Sequence, residues 1–129
     1  MKNRTQPFAF HLDPDTGVPV YRQLIDQVQG ALASGRLKPG QQLPTVRQLA
    51  VDLAINPNTV TRAYREMEIR GLLETQQGTG TFIAEQPAQT SPGIRKRQLD
   101  QLVTEMVARA GASGFTLAEL ESALKQHRR

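Results

Sequence analysis

The groups in this chain that could do chemistry are guanidinium, amide and hydroxyl groups, because the usual catalytic and metal-ligating ones are missing or isolated. Cysteine is absent and the two histidines, His11 and His127, have no partner near them in sequence. That excludes thiolate catalysis, a disulfide framework and Cys-ligated zinc or iron–sulfur. No nucleophile stands beside a base and no carboxylate pair falls in a plausible pocket, so no catalytic residue, metal site or cofactor is expected. The run Asp13 to Gly17, DPDTG, lacks the glutamate and downstream ligands of a calcium loop and is expected to be a turn. Gly78 and Gly80 make a Gly-x-Gly without the lysine that completes a phosphate-binding P-loop. What remains is a basic and amide-rich stretch: Arg36, Lys38, Arg47, Arg62 and Arg65 face only Asp52 between residues 36 and 65. A guanidinium pairs with guanine O6 and N7, an asparagine amide with adenine N6 and N7, and threonine hydroxyls suit phosphate oxygens. These groups bind a polyanion and do not transform one.

Such groups work only if regular elements hold them in one direction. Val20, Leu24, Val28, Ala31 and Leu32 recur at helical spacing after Pro19, which predicts a helix over about 19 to 34 stopped by Gly35. RLKPGQQLP, residues 36 to 44, is expected to be a turn with a short extended piece. Thr45 and Gln48 have the spacing of a capping box, ahead of the apolar stripe Val46, Leu49, Ala50 and Leu53. Asn56 and Pro57 then suit the N-cap and first position of another helix, running to Gly71. At ~100° per residue, Val60, Ala63, Tyr64 and Met67 fall on one side of that helix. Asn58, Arg62, Arg65 and Ile69 fall on the other, with Thr61 at the flank. After Gly71, LLETQQGTGTFIAE has two short β-prone runs around a glycine turn, which predicts a hairpin. Three helices and a hairpin make a winged helix-turn-helix, a mainly α fold with a small β-hairpin. The helix over 57–70 is then expected in the major groove, with the wing, 73–83, near the minor groove.

Over roughly residues 19 to 84, LKPGQQLPTVRQLAVDLAINPNTVTRAYREMEIRGLLETQQGTGTFI resembles the DNA-binding domain of GntR-family transcription regulators. The resemblance rests on PG-x-x-LP, the step from Arg47 to Ala50, NPNTV, Gly71 with Leu72, and the GTGTF wing. PVYRQL and the brief C-terminal part resemble the YtrA-type subfamily, whose tail is a pair of helices. The resemblance implies a homodimeric repressor of a palindromic operator on double-stranded DNA. Arg36, Lys38, Thr45 and Arg47 are the candidate contacts ahead of the recognition helix. Asn58, Thr59, Thr61, Arg62 and Arg65 are those within it, and Gln77, Gly78, Thr79 and Gly80 those at the wing tip. Each also has a plain alternative: exposed arginines on a solvated face, helix-start residues, a tight hairpin. Where some relatives carry a base-reading arginine this chain has Pro57, which can donate nothing.

The remaining composition fits this frame. The 129 residues carry a formal charge of +4 with a pI near 10.0, and 5% aromatics with no tryptophan argue against a stacking platform for single strands. No apolar run is long enough for a membrane helix and none resembles a signal peptide, so a cytoplasmic protein without membrane contact is expected. QPAQTSPG suggests a linker over 86–93, which divides residues 1–85 from a two-helix region at 94–129. There Leu99, Leu102, Val103, Met106 and Val107 form one stripe, broken at Gly111 and Gly114, and Leu117, Leu120 and Leu124 form another behind a Thr116–Glu119 capping box. About 36 residues are too few to sustain a core, so these stripes need a partner, either the first domain or a second copy. A second copy is the expectation, and a small-molecule effector is allowed for without a residue to identify it. The rival to the DNA-binding reading is a protein-interaction module, which would carry more aromatic and apolar anchors on its exposed face.

Overall fold

In the computed structural model, which describes residues 8–85 and 91–127, the helix ends fall at the capping residues. Helix α1 is Val20–Ser34, with Leu24, Ile25, Val28 and Ala31 buried. It ends at Gly35, whose φ of 80° is the left-handed conformation glycine tolerates best. Upstream, Asp13 caps a single 3-10 turn, Pro14–Thr16, which is the turn expected at DPDTG. Two glutamines of α1 hold this leading segment. The Gln27 amide accepts from the His11 N–H at 2.8 Å and donates back to the His11 carbonyl. Gln23 accepts from the Asp13 N–H at 2.9 Å and donates to the Val18 carbonyl at 2.9 Å.

Strand β1, Gln42–Leu43, leads into α2, Val46–Leu53. The expected capping box is present: the Thr45 hydroxyl accepts from the Gln48 N–H and the Gln48 side chain accepts from the Thr45 N–H, both at 3.1 Å. Helix α3, Pro57–Ile69, begins with the Asn56 side chain accepting from the Asn58 N–H at 2.8 Å. The turn between α2 and α3 passes through Ala54 at φ 55°, the one non-glycine residue with positive φ among the described residues. All four residues expected on the inner face of α3, Val60, Ala63, Tyr64 and Met67, are buried. They join Leu24, Ile25, Val28, Leu49, Leu73 and Ile83 in one core.

The hairpin, β2 Leu73–Gln76 and β3 Gly80–Ile83, is part of a larger element than expected. A three-stranded antiparallel sheet forms, in the order β1-β3-β2, with Gln42 opposite Phe82 and Leu43 opposite Thr81. The extended piece before α2 is thus the third strand. Two residues carry too little alternation to announce a strand, and the pairing that defines it lies far along the chain.

The second unit begins with α4, Pro92–Ala112, whose N-cap Ser91 accepts from the Ile94 N–H at 3.3 Å. Residues 91–93 are therefore the cap and first turn of a helix, which corrects the linker expected to run to 93. Pro-Gly looked like loop composition, but proline also suits a first helical turn. The rest of that linker, 86–90, lies outside the described residues, and the chain divides into two compact units there. Gly111 does not interrupt α4. The break comes at Gly114, with φ 85°, before α5, Leu117–His127. The second capping box is present too, with the Thr116 N–H donating to the Glu119 carboxylate at 2.9 Å and the Glu119 N–H to the Thr116 hydroxyl at 3.1 Å. Of the expected stripe, Met106 and Leu120 are half-buried. Leu99, Leu102, Val103, Val107, Leu117 and Leu124 are exposed. Among the described residues no helix is long and apolar enough to cross a membrane.

Two measurements probe this architecture. Tyr64 is buried, which pushes its phenol above the ordinary range, and its hydroxyl donates to the Pro44 carbonyl at 2.7 Å. Tyr64→Phe removes that bond and is expected to cost about 1–2 kcal/mol, lowering the Tm of the first unit by several degrees in a thermal melt. Glu119 is held below its ordinary value by the Thr116 backbone and then side-chain hydrogen bonds. Its contribution is therefore present above the usual glutamate range and is lost as pH falls through the lowered value. An NMR titration should find the Glu119 midpoint depressed, and returned toward the usual value by Thr116→Val.

Candidate nucleic-acid interface

Burial of one side of α3 turns the other outward. Asn58, Arg62 and Arg65 are exposed, and Thr59 and Thr61 are half-buried at the flanks. Because Asn56 provides the cap, the Asn58 side chain is not consumed by helix-start chemistry and remains available for an outside partner. Arg62 is held differently from its neighbours. Its guanidinium carbon lies 3.8 Å from the centre of the Tyr21 ring, a cation–π stack between α3 and the start of α1. Tyr21, Asn58, Thr59 and Arg62 share an open concavity of about 470 Å³ with Val20 and Asn56.

Helix α2 places Arg47 in its first turn, fully outside the core, while Leu49 and Ala50 are buried behind it. Thr45 has a second duty as the N-cap, but a capping hydroxyl acts there as acceptor and keeps its own hydrogen to donate. Arg36 donates from Nε to the Ser34 hydroxyl at 3.1 Å, and the Lys38 side chain is exposed in the loop before β1.

At the wing tip Gln77, Gly78 and Thr79 are exposed and Gly80 is half-buried. Gly80 has φ 136°, and a Cβ there would lie 2.5 Å from the Gln42 side-chain nitrogen. That nitrogen donates to the Thr79 carbonyl at 3.1 Å, so β1 reaches across β3 to hold the tip. On the other side, the Thr75 hydroxyl donates to the Glu68 carboxylate of α3. Glu66 is paired with Arg70 at 3.0 Å, which leaves its charge partly neutralised within α3.

The structure thus gathers Asn58, Thr59 and Arg62 around one concavity, Thr45 and Arg47 at the start of α2, and the wing residues at the tip of the hairpin. Two residues were not foreseen. Gln42 depends on the register of a two-residue strand. Tyr21 lies in the PVYRQL run, beside rather than on the apolar stripe of α1, and that offset was the available signal. Among the described residues no group of His, Asp and Glu could hold a metal ion.

Comparison with known proteins agrees with this geometry. The model of bacterial regulatory proteins of the gntR family matches residues 20–83. The HTH-type transcriptional repressor YtrA of Bacillus subtilis is 35% identical over 115 residues, which span 89% of this chain and 88% of the relative. The crystal structure of a transcriptional regulator from Oenococcus oeni is similar at TM-score 0.58 and 32% identity, covering 95% of this chain and 98% of the other. YtrA from Sulfolobus acidocaldarius, a GntR-family transcription factor, is similar at TM-score 0.55 and 26% identity, covering 91% and 94%. With its recognition helix, its wing and nearly its whole length in common with such proteins, this chain belongs to the GntR family of transcriptional regulators, as a YtrA-type member with a DNA-binding winged helix-turn-helix.

Proposed function

We propose that the chain is a cytoplasmic, homodimeric repressor that reads a palindromic operator and blocks its promoter by occupancy. The observation that carries this reading is the division of α3, whose buried face of Val60, Ala63, Tyr64 and Met67 turns Asn58, Arg62 and Arg65 to the outside. In the major groove, Asn58 and the α2 arginine Arg47 address base edges. Thr45, Thr59, Thr61, Arg65, Arg36 and Lys38 address phosphates and fix the register. Gln77, Gly78, Thr79 and Gly80 lie along the minor groove or its phosphates, where a glycine-rich backbone comes close.

The dimer rests on the second unit. Its two helices carry Leu99, at 59% exposure, and Leu102, at 55%. Joining two copies there makes the second half-site contact intramolecular and raises avidity by ~10² to 10⁴ with no new base contact. The name of the Bacillus subtilis relative, a repressor, supports the direction of regulation.

The deciding experiment selects bound duplexes from a random pool with the intact chain. A palindromic consensus is expected, and no enrichment over the input pool would refute the reading. On the selected duplex, affinity should fall steeply with salt, by ~0.9 in log–log slope per neutralised phosphate. Arg47→Ala and Asn58→Ala should each cost about 1–3 kcal/mol at particular base pairs, whereas Lys38→Ala weakens all sequences alike. Equal losses on every duplex for all three would remove the base-reading roles.

The tail is tested on the full-length chain with the double substitution Leu99→Glu/Leu102→Glu. Both residues are exposed, so the fold should persist while sedimentation shows a monomer, with binding to the full operator weakened at least tenfold. A variant that stays dimeric would place the dimer contact elsewhere.

A further inference from the structure

We infer that Tyr21 is a positioning residue for Arg62, so that α1, which lies outside the helix-turn-helix, helps set how α3 meets DNA. The inference rests on the proposed reading of α3 and adds to it a residue that does the aiming.

Three observations carry it. First, the stack is close, with 3.8 Å between the guanidinium carbon and the ring centre. An arginine over a ring face is attracted by the ring's quadrupole and gives up no N–H donor to a carboxylate or carbonyl. Second, Tyr21 is anchored. It is half-buried and packs against the core of the first unit, so the ring offers a fixed surface. Third, among the described residues Arg62 forms no ion pair, whereas Arg70 on the same helix is held by Glu66 at 3.0 Å. A carboxylate would orient an arginine by cancelling its charge and occupying its donors. A ring orients it and leaves both intact.

Arg62 therefore meets the duplex with its guanidinium already placed over the ring and its charge uncompensated. An exposed arginine without such support gives up rotamer freedom on binding, and holding it in advance removes that loss. Tyr21 and Arg62 line the same concavity as Asn58 and Thr59 of the first turn of α3. The acceptor is an oxygen or nitrogen of the duplex, on a phosphate or on a base edge.

The test uses full-length protein and the duplex that the intact chain selects from a random pool, in a cycle of Tyr21→Leu, Arg62→Ala and the double variant, with Tyr21→Phe as the conservative change. Tyr21→Phe keeps the ring and should bind like the intact chain. Tyr21→Leu keeps apolar volume and should weaken binding about 2- to 5-fold, and this loss should vanish in the Arg62→Ala background. An equal loss in both backgrounds, or a loss for Tyr21→Phe as large as for Tyr21→Leu, overturns the inference while the proposed function stands. If Arg62→Ala binds as tightly as the intact chain, the inference also fails. If the intact chain enriches no duplex, the function itself fails. A loss confined to certain base pairs assigns Arg62 to a base edge, and a uniform loss assigns it to phosphate.

A second readout needs neither DNA nor a variant. The side-chain protons of Arg62 should show an upfield ring-current shift by NMR in the free protein. Its absence overturns the inference even if Tyr21→Leu does not fold.

Discussion

Tyr64 enters the core with a hydroxyl that has to find an acceptor, and the one it finds links three elements of the first unit. The acceptor is the carbonyl of Pro44, the residue between β1 and the cap of α2. One bond thereby ties the middle of α3 to the start of α2 and to the edge of the sheet. An unpaired phenol at that depth would be costly, so the bond adds to the burial of Val60, Ala63 and Met67 in holding α3 in one rotational phase. That phase determines which residues of α3 look outward. Had the helix turned by a quarter, Arg62 and Arg65 would leave the shared face and Glu66 would approach it. The recognition surface is the residue of a packing problem solved on the opposite side.

The wing is subject to the same logic on a smaller scale. A two-stranded hairpin is marginal by itself in water. Here β1 adds a third strand and its Gln42 amide reaches the Thr79 carbonyl, while the Thr75–Glu68 pair joins β2 to α3. The exposed tip is thus held on one side through the Thr79 carbonyl and on the other through the strand that leads into it. Gly80 suits its φ of 136°, which side chains rarely adopt, and a Cβ there would push aside the end of the Gln42 side chain that holds the tip.

Much of this was legible in the sequence because helix caps are local. Thr45 with Gln48, Asn56 with Pro57, and Thr116 with Glu119 each announce a helix start within four residues, and each start is found there. The face of α3 was legible because burial follows the helical period. What escaped were features made by residues distant in the chain. Gln42–Leu43 becomes a strand only through Phe82 and Thr81, and Arg62 is held only through Tyr21. The start of α4 was misplaced because proline and glycine side by side fit both a loop and a first helical turn, and only the capping bond from Ile94 to Ser91 distinguishes the two.

Ala54 turns the corner between α2 and α3 in the left-handed region, where glycine would sit without strain. Its methyl group confines the backbone to a narrow well, and that confinement acts as a stiff hinge pin. The corner between α2 and α3 therefore has fewer backbone conformations open to it than a glycine would allow. Glycine there would fit the same fold without strain but would give the unfolded chain more freedom to lose on folding, so the alanine exchanges native-state strain for a smaller entropic loss.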